Sequence, residues 1–185
     1  MAMDLMQKAI IMTKDDIKRV LKRIGNEIIE WNRGTEGIAL LGIQRRGVYL
    51  AKRLQDVLLQ QEKVKIPTGE LDITLYRDDL TLLHEQPMVH STSIPFDVSG
   101  MNLILVDDVI YTGRTVRAAL DALMDLGRPS SVQLAVLIDR GHRELPIHPD
   151  FCGKKVPTSS DEIVEVRVEE LDGVDDVVIC EKQSE

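Results

Sequence analysis

Residues 103–115, Leu-Ile-Leu-Val-Asp-Asp-Val-Ile-Tyr-Thr-Gly-Arg-Thr, restrict what this chain can fold into more than any other stretch. Leu103 to Val106 is an unbroken apolar run, as expected of a strand covered on both faces in a parallel sheet. Asp107 and Asp108 then set two carboxylates at the strand's carboxyl end, the edge where open α/β sheets bind ligands. Beyond Val109, Ile110 and Tyr111, the residues Thr112, Gly113, Arg114 and Thr115 open a helix. Its first amides are unpaired and its dipole is positive there, and Gly113 lets a ligand come close to the backbone, so the turn suits a phosphate. The carboxylates repel that phosphate but accept hydrogen bonds from a sugar diol beside it, at roughly 1.5–3 kcal/mol for each bond to a charged acceptor. Ribose 5-phosphate satisfies both halves. An acidic turn capping a helix is the plainer reading of two aspartates alone; the run of strand, acid pair and Thr-Gly-Arg-Thr favours the ligand.

The flanking sequence fits an α/β domain. Thr13 is an N-cap for a helix over about 14–33, with Ile17, Val20, Leu21, Ile24, Ile28 and Trp31 as its buried stripe and Gly34 as its stop. Lys18, Arg19, Lys22 and Arg23 fall on the opposite side, as a solvated face or a contact for RNA phosphates. Residues 37–41 read as a second buried strand. The glycine-flanked loop after it carries Arg45 and Arg46 at the start of a helix over 48–60, which suits an anion with several charges such as pyrophosphate, or two surface arginines in a turn. Residues 70–77 alternate as a half-buried strand. Residues 78–102 show no sustained period and are read as a lid, with Arg77 at its hinge reaching the leaving pyrophosphate and His84 and His90 facing solvent. Val116 to Leu126 is an amphipathic helix, and Val132 to Ile138 a buried strand. That strand's exit, Asp139-Arg140-Gly-His142-Arg143, lies on the same rim as Asp107, so Arg140 is placed near base or sugar, or in a solvated turn. Residues 163–168 and 177–180 form a terminal strand pair, a hood whose backbone near Val164 reads the edge of a pyrimidine.

With 185 residues and 43% hydrophobic content the chain is expected to be one domain, lid at about 78–102 and hood elements at about 147–180. The net charge of −8 excludes a uniformly basic nucleic-acid binder, so an RNA site has to be local. Cys152 and Cys180 lack metal-like spacing and read as free thiols. The first dozen residues lack the apolar core of a signal peptide, and no run reaches membrane-spanning length, so a cytoplasmic protein without a membrane partner is expected.

The block 103–115 resembles the phosphoribosyl pyrophosphate signature of type I phosphoribosyltransferases. Three further stretches, Gly127 to Pro146, Leu71 to Leu80 and Gly153 to Ser159, are similar to the PyrR-type branch, and the similarity runs from about Gln7 to Ile179. The resemblance implies the type I fold: a central, mostly parallel sheet flanked by helices, with a hood and a lid. It implies transfer of phosphoribose from phosphoribosyl pyrophosphate to N1 of uracil, giving UMP. Asp107, Asp108 and Arg77 act catalytically, Thr112 to Thr115 hold the 5-phosphate, and Arg45 and Arg46 the pyrophosphate. Mg²⁺ is held mainly through phosphoribosyl pyrophosphate, so no metal-ligand residue is named. It further implies UMP- or UTP-dependent binding of pyrimidine-operon leader mRNA, with Lys18, Arg19, Lys22, Arg23, His142, Arg143, Lys154 and Lys155 as the basic surface, and a homodimer or larger homo-oligomer. The chain departs from many members at Lys22, where they carry Thr, and at Asn26, where they carry His. An RNA-binding nucleotide sensor with little catalysis, and a transferase for another base, remain the alternatives.

Overall fold

Strand β4, Asn102–Ile110, is the middle of a five-stranded parallel sheet of order β3-β2-β4-β5-β6, formed with β2 (Ile38–Ile43), β3 (Thr68–Leu71), β5 (Ser131–Asp139) and β6 (Phe151–Lys155). This is the mostly parallel α/β sheet expected. The computed structural model describes residues 5–79 and 92–182. Every residue of β2 is buried because both faces of the sheet are covered. Ile38 and Leu40 meet α1 (Lys14–Asn32) and α2 (Arg46–Glu62), whereas Ala39 and Leu41 meet α3 (Arg114–Leu126). Each such fully buried aliphatic side chain contributes about 1.5–3 kcal/mol of transfer free energy.

Helix α1 starts as anticipated. Thr13 caps it, its hydroxyl accepting from the Asp16 amide while the Asp16 carboxylate accepts from Thr13 N, a reciprocal box that leaves no first-turn donor idle there. Those bonds and Arg19 lower the Asp16 carboxyl to about 2. The stripe differs at its end: Ile28 is its last fully buried member, and Trp31 is 68% exposed. The end of α1 still meets the sheet, Asn32 Nδ2 donating to Gln133 Oε1 at 3.0 Å, while the exposed indole stands edge-on to Phe151 at 6.5 Å.

A second sheet of order β1-β8-β7 joins β1 (Leu5–Thr13), which no sequence period announces, to β8 (Asp176–Lys182) and β7 (Glu162–Arg167). The short helix α4 (Glu169–Asp172) links β7 to β8. The strand expected over 70–77 is displaced. β3 ends at Leu71, and a 3₁₀ turn covers Thr74–Tyr76 because Asp72 Oδ1 accepts from both the amide and the hydroxyl of Thr74 at 2.8 and 2.5 Å. Part of the expected lid is also fixed: Ser93 and Glu70 exchange two backbone hydrogen bonds, and Val98 is buried. Residues 80–91, with His84 and His90, lie outside the described segments.

Candidate active site

The carboxyl ends of β2, β4 and β5 lie side by side, so three loops distant in sequence share one rim. Close packing sets their spacing. A Cβ on Gly47 would stand 2.3 Å from the carbonyl oxygen of Val106, so glycine there lets the start of α2 touch the end of β4. A cavity of about 350 Å³ opens at this point, walled by Arg45, Arg46, Asp72, Arg77, Asp107 and Asp108, with Thr115 at its edge.

Asp107 is buried, and its Oδ1 accepts from the Asp108 amide at 2.9 Å; Asp108 Oδ1 in turn accepts from Val109 N at 2.7 Å. Burial first, and the Asp108 charge second, push the Asp107 carboxyl well above the usual carboxylate range. Burial also raises Asp108, opposed by its hydrogen bonds to the Val109 amide and Asp107 and by the positive charge of Arg46. Each carboxylate keeps an oxygen beyond its backbone bond, which can accept from a hydroxyl.

The turn expected to cradle a phosphate lies at the start of α3. Gly113 adopts φ +94° at the N-cap, a conformation that favours glycine, and no side chain caps the helix. Among the described residues the Arg114 amide has only the Thr112 hydroxyl, at 3.4 Å, and a helix start of this kind offers its remaining first-turn amides to an anion. The Thr112 carbonyl accepts from Glu144 N and Leu145 N, which ties the loop after β5 to the cradle. Val109 and Thr112 are half-buried, Ile110 is buried in the core, and the Tyr111 ring is exposed with the Arg140 guanidinium 4.0 Å from its centroid.

Arg140 is itself buried, donating to Thr158 Oγ1 and to the Glu162 carbonyl. It walls a second cavity, about 510 Å³, with Asp139, His142, Lys155 and Thr158. The Val164 side chain lies in the core and β7 pairs the residue with Ile179, which leaves only main chain, the group expected from the sequence, for any contact to a base.

The arginines divide. Arg45 is exposed, and among the described residues nothing accepts from its side chain, as a ligand-binding group requires. Arg46 instead donates from Nε and Nη2 to the two Asp172 oxygens at 3.1 and 2.9 Å. Arg77 donates to both oxygens of Asp79, at 2.8 and 2.5 Å, although it also walls the cavity. Arg114 is shared between Asp78 and Glu144, each at 2.6 Å. No run of the sequence distinguishes these acids from ordinary surface charge.

The predicted basic residues separate likewise. Lys18 and Lys22 are exposed on α1, and Arg19 pairs with Asp16 at 2.9 Å. Arg23 donates to the carbonyls of Cys152 and Gly153, which brings α1 beside β6 and its exposed Lys154 and Lys155. His142 is exposed, its Nε2 2.7 Å from the Thr158 carbonyl. Arg143 is no surface cation: it donates to Asp139 Oδ1 at 2.8 Å, to the Ile147 carbonyl at 2.8 Å and to the Tyr111 carbonyl at 2.9 Å, holding the rim together from inside.

A family model described as phosphoribosyl transferase domain matches residues 11–172. A relative from Pelotomaculum thermopropionicum, called bifunctional protein PyrR, is 63% identical over 175 residues, covering 95% of this chain and 97% of that one. The chain belongs to the PyrR family. PyrR proteins so named from Thermus aquaticus and Listeria monocytogenes are 57% and 54% identical, each aligned over 95% or more of both chains. Solved structures bear out the PyrR chain's type I fold at low identity. The hypoxanthine phosphoribosyltransferase of Trypanosoma cruzi superposes with a TM-score of 0.73 at 15% identity, over 96% of this chain and 98% of that one. That of Staphylococcus aureus gives 0.69 at 18% identity, over 93% and 92%. No helix among the described residues of this PyrR member is long and apolar enough to cross a membrane.

Proposed function

We propose that the chain is a bifunctional PyrR protein: a uracil phosphoribosyltransferase that also binds pyrimidine-operon leader mRNA under nucleotide control. The observation that carries the enzyme reading is the Asp107–Asp108 pair, Asp107 buried and Asp108 half-buried, set shortly before the start of α3, where a sugar diol and its 5-phosphate are served by adjoining groups. On this reading the ionised pair accepts from the two ribose hydroxyls and the first-turn amides of Arg114 and Thr115 donate to the 5-phosphate. Arg45 neutralises the diphosphate, and Arg77 joins it once drawn from Asp79. The base lies on the Arg140 side of the rim, with N1 turned to the anomeric carbon. As the bond to the diphosphate breaks, charge develops on the sugar ring and on the leaving oxygen. The carboxylates beneath the ring and the arginines around the diphosphate stabilise both, and the fixed loops supply orientation.

The site also fits Mg²⁺ brought in on the substrate. Asp72 Oδ2 is buried without a hydrogen-bond partner and Asp107 and Asp108 line the same cavity, but among the described residues no three acids are grouped closely enough to hold an ion by themselves, so Mg²⁺ would rest chiefly on the substrate's oxygens. When bound, Mg²⁺ would neutralise diphosphate charge, with Asp107, Asp108 and Asp72 as the protein groups nearest to hold it.

The RNA reading is supported by Lys18, Lys22, Lys154 and Lys155, which α1 and β6 bring onto one face through the Arg23 bonds. Incubating pure protein with uracil, phosphoribosyl pyrophosphate and Mg²⁺ tests the enzyme: UMP is the expected product, and none from folded protein would overturn it. Product from a purine base in competition with uracil would reassign the base. A gel shift of leader RNA with and without UMP tests the regulator; binding indifferent to UMP, or absent at low salt, would leave an enzyme alone.

A further inference from the structure

Arg46 walls the diacid cavity, yet the Nε/Nη2 edge of its guanidinium is taken by Asp172, which belongs to α4 in the C-terminal segment. The two side chains are only partly exposed, 31% and 20%, and Asp172 also accepts from the Val168 amide, so it is fixed on its own side as well. A second anchor lies further along α2: Arg53 donates to Glu170 at 2.5 Å and to the buried Asp175 at 2.7 Å. The two anchors differ in what they face. Arg53 looks only onto α4 and its following turn, whereas Arg46 stands near enough to Asp108 to oppose its protonation and shares a wall with Arg45.

The geometry points to Asp172 as an internal stand-in for the diphosphate, holding Arg46 in the ligand-free protein and yielding it when a diphosphate enters. This rests on reading the cavity as a diphosphate site. The exchange balances chemically: a guanidinium fork makes the same two parallel bonds to a phosphate as to a carboxylate, so Arg46 loses no hydrogen bond in changing partners. The carboxylate has the reason to leave, since a polyanion arriving beside it adds like-charge repulsion that Arg46 cannot offset for both. Released, α4 keeps the Arg53 anchor and stays docked at one end. Occupation of the catalytic cavity is thereby sensed at the β7–β8 connection, and the affinity for diphosphate is set below what Arg45 and Arg46 together would give.

Asp172→Asn tests it, since the amide oxygen can still accept from Val168 N while the charge is gone. Calorimetric titration with inorganic pyrophosphate and Mg²⁺ is expected to show binding about tenfold tighter than wild type, and KM for phosphoribosyl pyrophosphate lower with kcat not raised. Arg46→Ala in the same background should abolish the gain. A purely structural role for the pair predicts the reverse, weaker binding in Asp172→Asn, and that result or no change overturns the proposal. Should the variant not fold, hydrogen exchange of the wild type decides: with saturating pyrophosphate the amides of residues 168–173 should exchange faster, and unchanged or slower exchange overturns it. Wild-type protein that is folded but binds no pyrophosphate and no phosphoribosyl pyrophosphate refutes the diphosphate site itself; binding by wild type without the Asp172 effect refutes only this exchange.

Discussion

Replacing Asp107 by Asn should make the protein more stable and nearly inactive at once. The Asp107 carboxyl is 7% exposed, carries Asp108 beside it, and is held well above the ordinary carboxylate range by burial and then by that neighbour. The unfolded chain, whose Asp107 titrates normally, therefore releases this proton first as pH rises. Stability is lost from the ordinary carboxylate range upward through the raised folded pKa, and the loss is complete above it. The carboxamide introduced by Asp107→Asn keeps the acceptor for the Asp108 amide, now at 2.9 Å, and removes the buried charge beside Asp108. Relieving a functional strain of this kind typically yields about 0.5–2 kcal/mol. For a chain of 185 residues each kcal/mol raises Tm by about 2–4 °C. The same change removes a charge-assisted bond to a ribose hydroxyl, worth roughly 1.5–3 kcal/mol, so turnover should fall about 10- to 150-fold. Thermal unfolding across pH, paired with UMP formation, is the assay. The Tm advantage of Asp107→Asn should be absent at acid pH, below the ordinary carboxylate range, and grow to a plateau toward neutrality, while the acid limb of wild-type kcat/KM should vanish or shift down. A Tm gain independent of pH, or a Tm loss at neutral pH, would refute the account of the buried pair.

Four smaller changes probe the frame around the site. Thr13→Ala removes the hydroxyl of the α1 capping box and should cost about 1 kcal/mol, read as a Tm drop of about 2–4 °C with activity per folded molecule kept. Gly47→Ala forces a Cβ to 2.3 Å from the Val106 carbonyl, and overpacking of this kind costs about 1–3 kcal/mol; because the displaced strand end carries Asp107, KM for phosphoribosyl pyrophosphate should rise as well. Arg143→Ala removes the guanidinium that bonds to Asp139 and to the Tyr111 and Ile147 carbonyls and should lower stability, transfer and RNA binding together, whereas Lys154→Ala with Lys155→Ala should weaken RNA binding and flatten its salt dependence with transfer intact.

The parts of the fold legible in the sequence are those whose signal is local. β4, β5 and the helices α1 to α3 each carry a period or an apolar run matched to the surface they bury, and the acid pair and Gly113 announce themselves by residue type alone. β1 was not legible because its partner is β8, at the other end of the chain. Its outer side keeps Met6 and Ile10 more than half exposed, and irregularities at Gln7/Ala9 and Ile10/Met12 break the alternation. Residues 70–77 misled for the opposite reason: the alternation is present, but Asp72 bonds to Thr74 and turns the chain before Leu75, which ends 68% exposed.

Charge at the rim defeats residue typing in a more general way. Four arginines lie around one anion site, and the sequence offers no ground for ranking them. The structure ranks them by partner. Arg46, Arg77 and Arg114 each face a carboxylate, Asp172, Asp79 and Asp78, and only Arg45 stands without one among the described residues. A site built to hold a polyanion has to carry excess positive charge when loaded, and unpaired that charge would repel itself in the empty protein. On the proposed reading, acids close in space but unmarked in sequence remove the repulsion and lower the affinity, and the diphosphate would bind by replacing carboxylates as well as by meeting arginines. The expected consequence is a binding enthalpy smaller, and a salt dependence shallower, than four arginines would suggest; a steep salt slope in the pyrophosphate titration would show that the carboxylates do not compete.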